Sequence, residues 1–194
     1  MIDVIEVPVK RLTPGAFEPF GQLVGELPTT PAWARPRLTS WRLKFAMDGH
    51  PDLKMVRFHF QEMAFSRLER HFSHTETRIP LGGGQAVLAV APSRQPIDRS
   101  AVPDPSEIRA FFIDGSAGIM LWKGTWHGLD CYPARPPHTD FGFISEVETQ
   151  EEIEVPGQEG QAAPAAKLTQ VVDYAERDAV GFRVVDPSGL LPKP

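Results

Sequence analysis

Residues 65–91 read FSRLERHFSHTETRIPLGGGQAVLAVA. Imidazoles and carboxylates stand on short strand-like stretches just before a glycine turn and an apolar run, the order expected for the floor of a site. Glu69, His71, His74 and Glu76 are all of types that bind a divalent cation or move protons. Side chains two apart on a strand share a face, so Glu69 and His71 point the same way. Phe65 and Leu68 cannot both face one side under strict alternation, which predicts a bulge or an early bend at residues 65–69. Gly82, Gly83 and Gly84 supply the conformations of a tight connection. Residues 86–91 are apolar throughout, as a strand covered on both faces is.

A second segment answers the first. Residues 118–127, GIMLWKGTWH, carry an apolar strand into a glycine turn that delivers His127, as a site built from two strands of one barrel requires. Working outward, residues 41–45 and 55–60 alternate with period two and read as half-buried strands joined by a turn at 48–52. Residues 107–113, a turn at 114–116 and residues 119–122 read as a hairpin, and residues 141–145 as a further strand. Thr13 is placed to cap a helical turn beginning at Pro14. Residues 28–36 and 92–106 read as loops. Many short strands with turn signals between them and few helical periods predict an all-β closed sandwich or barrel with few short helices. Residues 156–166 have the composition of a flexible linker. Residues 168–174 and 181–186 regain strand character and are expected to dock on the domain or on a partner subunit. The expected division is a domain at 1–154 and a linker with C-terminal extension at 155–194.

The composition narrows the function classes. A chain of 194 residues with 41% hydrophobic content holds one sizeable core, and 20 prolines with 16 glycines disfavour long helices. The net charge of -5 comes without a basic block, so no nucleic-acid partner is expected. No apolar run is long enough to cross a bilayer, and the N-terminus lacks a signal-peptide core, so no membrane partner is expected. Cys131 is the only cysteine, which rules out an internal disulfide and fits a reducing, cytoplasmic location.

The spacing of Glu69, His71, Glu76 and Gly83 resembles the first signature of cupin barrels, with Glu69 where the first histidine normally stands. Gly124, Thr125, Trp126 and His127 resemble the end of the second, with Trp122 where a proline is usual. His71, Glu76 and His127 are the expected metal ligands and Glu69 a fourth. The mixed donor set suits nickel, manganese, iron or zinc. Glu69, Asp140 and Lys123 are the candidate catalytic groups. Arg70, Arg78, Arg109 and Trp126 are the candidates for binding substrate, the arginines through a carboxylate. His74 falls outside the signature and reads as a half-exposed polar residue.

Further residues carry a closer resemblance. The pattern 12–21 (LTPGAFEPFG), Glu69-Arg70-His71, Thr75-Glu76, Ile79-Pro80, Arg109-Ala110-Phe111, Gly118, Trp126-His127 and Asp140-Phe141 resembles the ureidoglycolate lyase family over about residues 4–154. The resemblance implies a cupin-like double-stranded β-helix barrel, a homodimer, a divalent metal, and cleavage of ureidoglycolate to glyoxylate and urea in allantoin and purine breakdown. This chain departs from the pattern near the pocket. Glu76 stands where the family commonly has Gln, and Arg78 where it has an aromatic. Ala117, Leu121 and Gly128 replace a glutamine, a tyrosine and a second histidine. A close relative of ureidoglycolate therefore also fits as substrate. A non-catalytic cupin that binds a small carboxylate is the competing expectation, distinguished by turnover.

Overall fold

The apolar run at 86–91 is the strand around which the chain closes. All six of its side chains are buried, with Ala86, Leu88 and Val90 in one core and Val87, Ala89 and Ala91 in another. The computed structural model describes residues 2–25, 30–94, 97–154 and 167–193; the expected linker at 156–166 lies outside the described residues. In chain order the elements are β1 (Asp3–Arg11), α1 (Pro14–Phe17), β2 (Gly21–Val24), β3 (Trp33–Arg35), β4 (Leu38–Ser40), β5 (Pro51–His59), β6 (Ala64–Phe65), β7 (Arg67–His71) and β8 (Thr77–Pro80). There follow β9 (Ala86–Ala91), β10 (Arg109–Ile113), β11 (Gly118–Leu121), β12 (Trp126–Gly128), β13 (Tyr132–Pro133), β14 (His138–Glu146), α2 (Val147–Ile153), β15 (Thr169–Asp173), α3 (Tyr174–Asp178) and β16 (Val180–Val185). Thr13 caps α1 through its hydroxyl, with Pro14 at the first helical position.

A nine-stranded sheet runs β15-β7-β12-β9-β10-β1-β16-β6, with β13 also beside β9. β6, at one end, and β7, next to the other, are separated by Ser66 alone, so the sheet curls back on itself around Val7, Leu68, Trp126, Tyr174 and Phe182. That break at Ser66 is the early bend expected at residues 65–69. The other face packs on a five-stranded sheet, β2-β11-β8-β14-β5, through Leu88, Phe111, Ile119, Phe141 and Phe143. Two curled, mostly antiparallel sheets closed over apolar cores make the all-β barrel expected from the strand pattern, in the cupin-like form that the family resemblance implied. β15 and β16 both belong to the large sheet, pairing with β7 and β1.

Three local expectations differ from the structure. β10 and β11 do not form a hairpin. β10 is flanked by β9 and β1, leaving no open edge, so the chain crosses to the other sheet and pairs β11 with β2 and β8. Gly115 makes that crossing at φ +89°, against the backbone of Gly83. Residues 41–46 are not a strand. The chain there is tied by Ala46 and Asp48 to residues 73–75, including a single bridge between Met47 and His74. Residues 33–35, expected within a loop, form β3 and pair with β4 in a short hairpin.

Candidate metal centre

Glu69 and His71 alternate on β7, and His127 lies directly opposite Glu69 on β12, so all three side chains share one face. Their ligand atoms lie within 4.8 Å of one another. Glu69 Oε1 is 3.5 Å from His127 Nε2. Glu76, just before β8, enters from the facing sheet, with Oε2 3.4 Å from His71 Nε2 and 3.8 Å from His127 Nε2. Each histidine is anchored by its other nitrogen: His71 Nδ1 is 3.0 Å from Thr169 Oγ1 and His127 Nδ1 is 3.2 Å from the Thr125 carbonyl. Both Nε2 atoms are buried without a hydrogen-bond partner. A buried polar atom left unpaired costs free energy, and an imidazole so oriented is the arrangement that ligates a cation. The residues present therefore fit a divalent metal, and Glu69, His71 and His127 could hold it with Glu76 adjoining.

The electrostatics fit as well. Burial acts to raise the Glu69 carboxyl, but the neighbouring imidazoles of His127 and His71 outweigh it and hold it below the usual range. Burial acts on Glu76 in the same direction, and Arg78, His127 and His71 together hold it well below that range. Arg78 donates Nε–H to Glu76 Oε1 at 2.6 Å and lies over the Phe143 ring, fully buried, with Nη1 unpartnered. With the imidazoles neutral, two carboxylates and one guanidinium leave the cluster one negative charge in excess, which a divalent cation would reverse.

The same alternation sends other candidates elsewhere. Arg70 and Trp126, expected to bind substrate, face away from Glu69 and His127. Trp126 is buried in the core of the large sheet with the Arg70 guanidinium 4.3 Å over its ring, and Arg70 bonds Gln170 and the Asp98 carbonyl. Arg109 donates to the carbonyls of Ser106 and Ile108 beside an outer cleft. Asp140 is on the outward face of β14, in a two-bond pair with Arg57. Lys123 pairs with Asp48 at 2.6 Å. None of these five joins the cluster.

His74, expected to be half-exposed, is buried, with its ring stacked on His71 at 5.2 Å and its Nε2 unpartnered. Burial, with His71 adding to it, pushes its pKa down to about 4. Behind it the buried Glu146 accepts from Gly49 N–H at 2.7 Å, Thr149 Oγ1 at 2.7 Å and Ser73. His74 stands two residues from Glu76, as Glu69 does from His71, and that repeat was the signal available for it.

Residues 4–162 match the family described as ureidoglycolate lyase. The chain belongs to that family. Its departures from the ureidoglycolate lyase pattern can now be placed. Glu76 and Arg78 are a buried ion pair at the edge of the candidate metal cluster. Comparison with curated proteins finds no match. Among solved structures, RmlC from Streptococcus suis, described in complex with dTDP-D-xylose, is similar over 74% of this chain at 10% identity, with a TM-score of 0.30; the match spans 64% of that chain. No helix among the described residues is long and apolar enough to cross a membrane.

Proposed function

We propose that the chain cleaves ureidoglycolate, or a closely related small 2-hydroxy acid with a nitrogen leaving group, to glyoxylate and urea in allantoin and purine breakdown. A divalent metal, nickel, manganese, iron or zinc, is held by Glu69, His71 and His127 with Glu76. The observation that carries this reading is the pair of buried, unpartnered histidine Nε2 atoms beside the Glu69 carboxylate. When bound, the cation supplies Lewis-acid polarisation of substrate oxygen. The rest of the chemistry belongs to the chain. Arg78 receives the substrate carboxylate on the N–H groups that Glu76 leaves free. Glu69 is the less buried carboxylate of the two, its side chain 14% exposed against 5% for Glu76, and Glu76 is tied to Arg78. Glu69 therefore takes the hydroxyl proton on the carboxylate oxygen that would not hold the cation as the carbonyl forms, and returns it to the urea nitrogen as the C–N bond breaks, acid–base help worth about 10² to 10⁴ in rate.

The buried, unpaired Cys131 is in keeping with a cytoplasmic protein. Edge strand β5 exposes Leu53 (78%) and Met55 (72%), which supports this face as the interface of the proposed homodimer. Metal analysis and an assay of glyoxylate release on the purified dimer test the proposal together. His127→Ala is expected to lose the metal and at least 100-fold in rate while keeping its circular dichroism. Full metal content in that variant, or no glyoxylate from the metal-loaded parent, would overturn the reading.

A further inference from the structure

Thr169 lies beyond the residues matched to the family, on β15, and the β15–β7 register sets it directly opposite His71. Residues opposite one another on neighbouring strands share a face, which brings Thr169 Oγ1 to 3.0 Å from His71 Nδ1, both groups buried. The two candidate histidine ligands are therefore anchored differently. His127 Nδ1 faces a backbone carbonyl, which can only accept, so Nδ1 carries a proton. His71 Nδ1 faces a hydroxyl, which can donate or accept. The strand that carries the hydroxyl is itself held on both sides: the Glu152 carboxylate accepts from the backbone N–H groups of Lys167, Leu168 and Thr169, and Gln170 accepts from Arg70 on the opposite face.

We propose that Thr169 is a positioning residue for His71. Its hydroxyl accepts from Nδ1–H, keeps the ring in the tautomer whose Nε2 lone pair faces Glu69, Glu76 and His127, and so makes the C-terminal strand part of the metal centre. The inference rests on the metal reading above, because only ligation at Nε2 demands that tautomer.

The test uses the full chain with ¹⁵N-labelled histidine, the metal-free protein at a pH where the His71 ring is neutral, and Zn²⁺ titrated against a chromophoric chelator. Long-range ¹H–¹⁵N spectra should show the His71 proton on Nδ1 in the parent. In Thr169→Val, which keeps the shape and loses the hydroxyl, that tautomer should no longer dominate, and Zn²⁺ affinity should fall about 10- to 100-fold. Thr169→Ser should restore both. A parent whose His71 proton is on Nε2 overturns the inference, as does Thr169→Val with the parent's tautomer and Zn²⁺ affinity. If the parent takes up no Zn²⁺, the metal reading fails and this inference falls with it, whereas a parent that binds Zn²⁺ no more tightly than Thr169→Val overturns the inference alone. Should Thr169→Val not fold, the parent spectrum and the Thr169→Ser rescue carry the decision.

Discussion

Glu76 and Arg78 depend on each other more than any other pair near the centre. The guanidinium is fully buried, with the Glu76 carboxylate 2.6 Å from its Nε, and it has no other ion-pair partner among the described residues. Removing one member leaves the other charged and unpaired in a low-dielectric interior, at a cost of about 3 to 5 kcal/mol. Glu76→Gln and Arg78→Phe should each destabilise the metal-free protein by about that much in urea unfolding. The double variant, which restores the glutamine and aromatic of the family pattern, should lose far less than the sum. Strictly additive losses would show that the two do not act as a pair. Glu69, His71, Glu76 and His127 stood out in the sequence because their types and spacing resemble the cupin signatures, and Arg78 because it departs from the family pattern. Thr169 did not, since a threonine acquires its role only when a distant strand is laid beside His71.

Alternation identified β5 as a strand and continuous apolarity identified β9, but neither says which strands pair. Residues 107–121 look like a hairpin because two apolar stretches flank Asp114-Gly115-Ser116. Pairing is decided by which edges are open, and β10 has none. The crossing between sheets rests on Gly115, whose φ of +89° disfavours any side chain and where a methyl group would meet the Gly83 carbonyl oxygen. Gly82 also has positive φ, +60°, but faces open space. Gly115→Ala should therefore cost more than about 2 kcal/mol and Gly82→Ala about 1 kcal/mol, measured by chemical denaturation. Equal losses would mean that backbone conformation, and not the contact with Gly83, sets the cost.

For the whole molecule, the closed cores hold three groups in their protonated forms. Burial pushes the Cys131 thiol up to about 11 and raises the Tyr132 and Tyr174 hydroxyls as well. The unfolded chain releases these protons from about pH 9 to 10 while the folded chain keeps them, so their contribution is intact below those values and is lost as pH rises through the folded ones. Unfolding free energy should fall between about pH 9 and 11, by up to about 1.4 kcal/mol per pH unit for each group titrating, and Cys131→Ala should flatten part of the slope. A stability unchanged from pH 8 to 10.5 would contradict this. By itself the sequence determined the all-β class, the run that both cores cover and the residue types of the centre, because periodicity and composition are local properties of the chain. Only the tertiary structure decided that β6 and β7 come from opposite ends of one curled sheet, that Arg70 and Trp126 turn away from the cluster, and that the C-terminal strand supplies a partner for His71. Those outcomes depend on register between segments far apart in the chain, and a one-residue change of register exchanges the faces of a strand.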